Sequence, residues 1–388
     1  MYRTVDLFAG IGGIRRGFEL TNQFETVLAA EIDKYACETY KHLYGDDPFN
    51  DVTSEEFKEK VTRIDYDVLL GGFPCQAFSI AGKKEGFMDK TRGTLFFDIA
   101  DILKRTRPKA FLLENVEGLL RHKKGDTFET ILKVLVQELN YTVIGVRENS
   151  LVPEELEYNS KDFLVNSKDF GLPQNRPRVY IIGFDKNRYG SLTTDLAMKE
   201  LPKKRPGEPM YKDLNDLLEF NANQEYYLAS GYLQTLKDHK NRHRGKGNGY
   251  GYIVVNEKGI KNPISNALLA TGGSGKERNL VYDPQDGIGG TVVKGKQTPL
   301  NDEGIRMMTP REWGKLQGFI NYGFVKDGVD QFSFPSKISK AQQYKQFGNS
   351  VTIPVIEVMA KEIGNTLDKL EAAIQTKTSN DIKTEVMS

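Results

Sequence analysis

The sequence predicts an α/β architecture: a doubly wound, mostly parallel sheet, joined by a second, smaller, irregular and β-rich domain. Three observations lead there. Up to about residue 184, short β-branched runs alternate with amphipathic stretches, the pattern of a parallel sheet with crossover helices. The first run, "VDLF", breaks at once into the glycine cluster "AGIGG", where an open α/β sheet binds ligands. After Phe184 the alternation stops at the basic, proline-rich "LPKKRPGEPM", and Gly-, Asn- and Lys-rich sequence follows to about residue 300.

The predicted strands, in order, are "RTVDLF", "ETVLAA", "YDVLL", "KAFLLEN", "YTVIGV" and "RVYIIGF". Each is rich in β-branched or aromatic residues and bounded by turn formers. Between them, stretches such as "DTFETILKVLVQEL" repeat apolar residues at three- and four-residue spacing and predict helices. Helical periodicity returns in "TPREWGKLQGF" and in "VTIPVIEVMAKEIGNTLDKLEAAI". The expected division is therefore 1–185 plus 339–375 for the sheet domain and 186–338 for the second domain. A polar, frayed tail is expected over 376–388.

Lys and Arg number 54 against 53 Asp and Glu, a net charge of +1, so an anionic partner must be met by local patches. Two cysteines, Cys37 and Cys75, build no disulfide framework and no metal-type pair, which predicts a reducing compartment and no bound metal. No charged-then-apolar leader and no apolar run of about 20 residues is present. A soluble cytoplasmic protein is expected, with no membrane partner.

The glycine turn departs from the dinucleotide fingerprint. Gly10 and Gly12 fit G-x-G, but the third glycine should fall where Arg15 stands, and an extra one sits at Gly13. A strand-to-helix turn that needs positive φ explains the same glycines. Glu31 closes the second run at the distance where an acidic side chain takes ribose hydroxyls. Asp51, in "FNDVT", is expected to close a further strand and offer a carboxylate near the base. Each acid alone reads as a solvated strand end. Together with Asp6 they make a pocket for a cationic ligand, not for a pyrophosphate, and S-adenosylmethionine has the matching sulfonium and ammonium.

Cys75, in "GGFPCQAFS", would alone be a small buried hydrophobe. Its context argues for more. Pro74 fixes its own φ and biases Phe73 to extended backbone, which aims the thiol at the mouth of the sheet. The glycine-punctuated loop behind it is of the kind that closes over a substrate. Glu114, in "FLLENV", ends the next strand and is expected beside Cys75. Arg176 and Arg178, in "QNRPRVYIIGF", lie two residues apart, so extended backbone would turn both to one face. Read singly, Glu114 is a capping or ion-paired acid and the arginines a solvated strand start. A thiol, a carboxyl and two guanidiniums at one rim would polarise a neutral heterocycle.

The ordered set "DLFAGIGG", "GGFPCQAFS", "ENV", "QNRPR", "TPREWGKLQGF" and "QFGNSVTIPV", spanning residues 4 to 375, resembles the DNA (cytosine-5)-methyltransferases. The resemblance implies methyl transfer from S-adenosylmethionine to carbon 5 of cytosine in a short duplex DNA sequence, with the target nucleotide flipped out of the stack. It implies that Cys75 attacks carbon 6 and that Glu114 binds ring nitrogen 3 and the exocyclic amine. Arg178 would hold the ring oxygen, and Arg176 would brace Glu114 or a phosphate. The loop from about Phe78 to Arg92 would close behind the base. Cofactor contacts carry over to Asp6, Phe8, Gly10, Gly12, Glu31, Ile32, Asp51, Val52, Pro74 and Asn349. Ile32 stands where many members carry an aromatic residue against the adenine, which implies a weaker stacking contact.

The stretch "LKDHKNRHRGKGNGYGY" holds Lys237, Lys240, Arg242, Arg244 and Lys246 against one acid, Asp238. It reads as a phosphate-tracking patch, or else as a solvated basic helix end. His239 and His243 have metal-pair spacing without a third ligand. "NALLATGGSGKERNLVYD", with "GNGYGY", resembles the recognition region of bacterial enzymes that modify the inner cytosine of CCGG, and makes Lys276, Glu277 and Arg278 candidates for base reading. The expected partners are duplex DNA and a cognate restriction endonuclease encoded nearby without direct contact, with the protein acting as a monomer. The competing readings are a non-catalytic DNA-binding subunit, which intact Cys75, Glu114, Arg178 and Asn349 oppose, and a transfer RNA methyltransferase, which the long basic, glycine-rich insert opposes. A dehydrogenase is disfavoured by Arg15.

Overall fold

In the computed structural model, residues 1–74, 94–148, 152, 155–245, 251–270 and 277–387 are described, with side chains to 377. The first apolar run forms β1 (Tyr2–Leu7), which pairs in parallel with both β2 (Phe24–Ala30) and β3 (Val68–Gly72). In turn β3 pairs in parallel with β4 (Ala110–Val116). After β5 (Tyr141–Val143) and β6 (Leu164–Asn166), the run Pro177–Asp185 forms β7, antiparallel to β4, β5 and β6. The sheet order is β2-β1-β3-β4-β7-β5, with β6 beside β7. Val68, Leu69 and Leu70 of β3 and Phe111, Leu112 and Leu113 of β4 are fully buried. Such continuous apolar runs suit central strands covered on both faces.

Register decides where the chemistry sits. Leu7 pairs with Ala30 and with Gly71, and Gly72 pairs with Glu114. The carboxyl ends of β1 to β4 therefore share one edge, which carries the glycine turn, Glu31, Phe73–Pro74 and Glu114. Helices cover the sheet: α1 (Gly13–Glu19), α2 (Lys34–Tyr44), α3 (Glu55–Thr62), α4 (Leu95–Thr106) and α5 (Asp126–Lys133). The interior faces of α4 and α5 supply Phe96, Ile99, Leu103, Phe128, Ile131 and Leu132 to one core.

Two expected strands differ. "YTVIGV" is broken at Gly145, φ 83°, so only Tyr141–Val143 joins the sheet, while Val146–Glu148 pairs with Leu156–Tyr158. Asp51 closes no strand. Only Phe49 bridges to Glu31, and the Asp51 carboxylate turns back to accept from the backbone N–H and hydroxyl of Thr53.

The chain divides into two units, 1–166 with 177–205 and 353–388, and 167–176 with 206–352. Residues 186–205 thus belong to the first unit, whereas 339–352 and 167–176 belong to the second, unlike the expected boundaries. The first unit closes with α9 (Ile353–Met387), whose backbone is helical through the stretch expected to fray. A Cβ on Gly17 of α1 would lie 2.5 Å from Ile356 of α9, so this close helix contact requires glycine.

The second unit contains α6 (Ser230–Gly245), α7 (Pro310–Leu316) and α8 (Lys340–Asn349). Thr309 and Glu312 form a capping box at the start of α7, where Pro310 occupies the first turn. The unit is irregular, as expected, but its described strands are pairs of two or three residues, less than the β-rich character expected. No described helix is long and apolar enough to cross a membrane.

Candidate active site

The turn after β1 is built on positive φ at Phe8 (56°), Gly10 (56°) and Gly12 (78°). At Gly12 a side chain has no room, because a Cβ would lie 2.3 Å from the Tyr44 ring, whose hydroxyl donates to the Gly12 carbonyl at 2.7 Å. At Gly10 the reason differs: among the described residues nothing lies within 4 Å of the Cβ position, and its φ of 56° is what favours glycine. The Gly10 N–H donates to Glu31 Oε2 at 2.8 Å, and Glu31 Oε1 accepts from Ile32 N and Asp33 N at 2.8 and 2.7 Å. Three backbone donors thus hold one carboxylate rigid. Two exposed apolar side chains flank it: Ile32 at 65 % by sequence and Phe49 at 66 % through the bridge.

Arg15 lies behind this turn. Its guanidinium meets Glu19 at 2.7 Å, the Tyr40 hydroxyl at 2.9 Å and Asp46 at 2.6 Å, which explains why no third glycine is needed there. Asp6 is sealed behind the turn as well. Its carboxyl is fully buried, both oxygens lack a hydrogen-bond partner among the described residues, and burial pushes its pKa up to about 7 against the pull of Arg15. Expected as a cofactor contact, Asp6 presents no surface to solvent. Val52 is likewise buried, whereas Phe8 is half-buried and Pro74 and Asp51 are exposed.

Glu114, at the end of β4, meets Arg178 on β7, with Arg178 Nε 3.1 Å from Glu114 Oε1 and both side chains 12 % exposed. Arg178 Nη1 also donates to the Pro177 carbonyl at 2.9 Å. Beside them the buried Asn115 donates to the Phe73 carbonyl at 2.8 Å and fixes the backbone that enters Pro74. Cys75 and the loop from Phe78 to Arg92 lie outside the described residues. The role of Asn115 was visible only as the middle letter of "ENV".

Arg176 requires correction. It was expected on one face with Arg178, bracing Glu114 or a phosphate. Instead it is 2 % exposed and donates to the carbonyls of Leu268, Gly348 and Ser350 at 2.7, 3.0 and 2.6 Å, within the second unit. The ladder Gln174–Asn175 pairs with Ser265–Asn266, and the sheet strand restarts only at Pro177, so the two arginines do not share one strand. Asn349 ends α8 with its side chain exposed.

The basic stretch is the helical end of α6. Lys237 pairs with Glu303, and Lys240 lies over the Tyr252 ring at 4.7 Å. Both lie on the helix stripe of buried Leu233, where Lys237 is half-buried and Lys240 is exposed. Arg242, Arg244 and Arg278 are exposed, while Glu277 accepts from the Tyr232 hydroxyl. Lys246 and Lys276 lie outside the described residues. The His239 and His243 ring centroids lie 4.3 Å apart with the planes tilted by 47°, and no metal-holding group occurs among the described residues.

The chain is similar to proteins of one family along nearly its whole length. The family of C-5 cytosine-specific DNA methylases matches residues 2–365. The chain belongs to that family. Type II methyltransferase M.HpaII of Haemophilus parainfluenzae is 43 % identical over 94 % of this chain and 90 % of its own, and M.SsoII of Shigella sonnei is 40 % identical over 95 % and 81 %. Among solved structures, a mutant of Spodoptera frugiperda DNMT2 has a TM-score of 0.63 at 17 % identity, covering 94 % of this chain and 99 % of that one. A putative DNA modification methyltransferase from an Escherichia coli prophage has a TM-score of 0.56 at 19 % identity, covering 95 % and 100 %. These two likenesses show the fold, that of S-adenosylmethionine-dependent methyltransferases.

The protein is a DNA (cytosine-5)-methyltransferase, and its methyl donor is S-adenosylmethionine. The residues at the edge fit that donor. A rigid carboxylate and two exposed apolar side chains suit a ribose beside a purine.

Proposed function

We propose that the chain is the modification enzyme of a restriction–modification pair and methylates the inner cytosine of CCGG on a flipped-out nucleotide, with Cys75 as nucleophile. The Glu114–Arg178 pair at the end of β4, paired across from Gly72 where β3 leads toward Cys75, carries the reading. Similarity to M.HpaII and the stretch 266–283 support the choice of site.

In this reading the thiolate adds to carbon 6 while Glu114 gives a proton to ring nitrogen 3, which carries the displaced electron pair. Arg178 holds Glu114 in place through Nε and meets the ring oxygen with its guanidinium. The donor supplies an electrophilic methyl on a sulfonium, and carbon 5, now enamine-like, takes it. The sulfonium leaves as a neutral thioether; loss of the carbon 5 proton to a base then restores the carbon 5–carbon 6 double bond and expels Cys75 as thiolate, and the ring nitrogen 3 proton returns to Glu114. Glu31, Ile32 and Asn349 hold the donor, and Arg242, Arg244, Lys246, Lys276 and Arg278 meet DNA. The enzyme acts as a monomer, and its cognate endonuclease makes no direct contact with it.

Bisulfite sequencing of a plasmid from a host without cytosine methylation, expressing this chain alone, tests the proposal. Protection confined to the inner cytosine of CCGG is expected, and none with Cys75→Ala. Protection of another context would remove the CCGG assignment. Turnover by Cys75→Ala within tenfold of the parent would remove the covalent step.

A further inference from the structure

A buried polar hub in the second unit holds the chain that leads to Arg278. Gln174 is fully buried; its Oε1 accepts from Leu268 N at 3.2 Å, and its Nε2 donates to Leu316 O at 2.9 Å. Arg176, two residues on, takes the Leu268 carbonyl at 2.7 Å. Both backbone groups of Leu268 are therefore gripped by two side chains two residues apart. Arg176 also binds the carbonyls of Gly348 and Ser350, and Gln317 donates to Phe347 O at 2.8 Å. Gly348 has no room for a side chain, since its Cβ would lie 2.6 Å from Ala270 N. The far end is tied too. Asn266 Nδ2 donates to the Arg278 carbonyl at 2.8 Å, and the buried Asn279 Oδ1 accepts from Asn266 N at 2.8 Å.

We propose that Gln174, Arg176 and Asn266 are positioning residues for sequence discrimination. They fix the chain at Leu268, where it leaves, and at Arg278, where it returns, so that exposed Arg278 meets base edges from one place. A buried guanidinium bound to three carbonyls is held only while all three are present, because a buried charge left short of partners is costly. Lysine cannot replace it, being a point charge without the fork that reaches several directions. Discrimination of a base by a side chain is worth about 1–3 kcal/mol and needs fixed geometry, so a loosened anchor should erode it before it erodes the fold.

The inference rests on the reading that Arg278 meets the bases. Its test uses the full chain and initial methylation rates on two duplexes, the cognate site and the same site with one base pair changed. The parent, Arg176→Lys, Asn266→Ala and Arg278→Ala are compared. Tyr189→Phe serves as control, because it loses a 2.6 Å bond to Glu371 in the first unit and so reports plain loss of stability. The rate ratio should fall about tenfold, or about 1.4 kcal/mol, in Arg176→Lys and Asn266→Ala, and stay within twofold in Tyr189→Phe. Should Arg176→Lys not fold, Asn266→Ala decides alone. A parent-like ratio in Asn266→Ala, with Arg278→Ala relaxed, overturns the hub. An unchanged ratio in Arg278→Ala itself overturns the base-reading assignment beneath it.

Discussion

The stability of Asp6→Asn relative to the parent should rise with pH. Asp6 lies on β1 with no exposure and no partner for either oxygen among the described residues, so burial favours its neutral form. Burial raises the carboxyl from its ordinary 3.8 to about 7; Arg15 opposes this, and Glu31 and Glu19 add to it. Between those values the folded chain keeps a proton that the unfolded chain has released. The resulting stability is complete below pH 3.8 and is lost as pH rises through about 7. Each pH unit in that window weakens the parent by about 1.4 kcal/mol relative to a side chain that does not titrate. From pH 5 to 8 the gap between variant and parent should therefore widen by about 3 kcal/mol, an order-of-magnitude figure. Urea unfolding of both proteins at pH 5, 6, 7 and 8 measures it, and the pH response of every other group cancels in the difference. A gap constant within about 0.5 kcal/mol would refute the claim that burial raises this carboxyl above its ordinary range.

Three further predictions concern the two units. Glu31→Ala leaves the Gly10, Ile32 and Asp33 N–H groups without their acceptor, so KM for S-adenosylmethionine should rise tenfold or more in steady-state assays while kcat moves less. Ile32→Trp should tighten binding of S-adenosylhomocysteine severalfold by calorimetry, since an exposed indole beside Glu31 adds stacking area; weaker binding would place the adenine elsewhere. Arg306→Met strands Glu312, because Arg306 and Glu312 are both fully buried and paired at 2.8 Å. Denaturant unfolding should show a loss of about 3–5 kcal/mol.

Much of this was legible in the sequence, for reasons that can be assigned. The glycine turn could be read because positive φ leaves few alternatives to glycine, and the central strands because burial on both faces demands unbroken apolar runs. Glu31 and Glu114 were placed by strand length alone, and register then set both at one edge. Asp51 was misjudged because a single bridge at Phe49 and a carboxylate bonded to Thr53 leave no periodic trace. Composition showed the charge of Lys237 and Lys240 but not their contacts with Glu303 and Tyr252, which only the fold of the unit supplies. Tyr44 was missed outright. Its contact with Gly12 spans 32 residues, and nothing local marks it.

The two arginines of "QNRPR" show what separates a side chain kept for chemistry from one kept for shape. By alternation they should share a face, yet Arg176 belongs to one unit and Arg178 to the other. Arg176 spends its guanidinium on three carbonyls inside the second unit, and Gln174 and Gln317 are likewise buried and bonded internally. Such groups have little left to offer a substrate, so their loss should be felt through position and stability. Arg178 and Glu114 pair with each other at the sheet edge, each 12 % exposed. A motif match gives both arginines the same standing; hydrogen-bond accounting does not. It follows that Arg178→Ala should lower the rate of methyl transfer at every DNA site alike, whereas Arg176→Lys should change the ratio between sites.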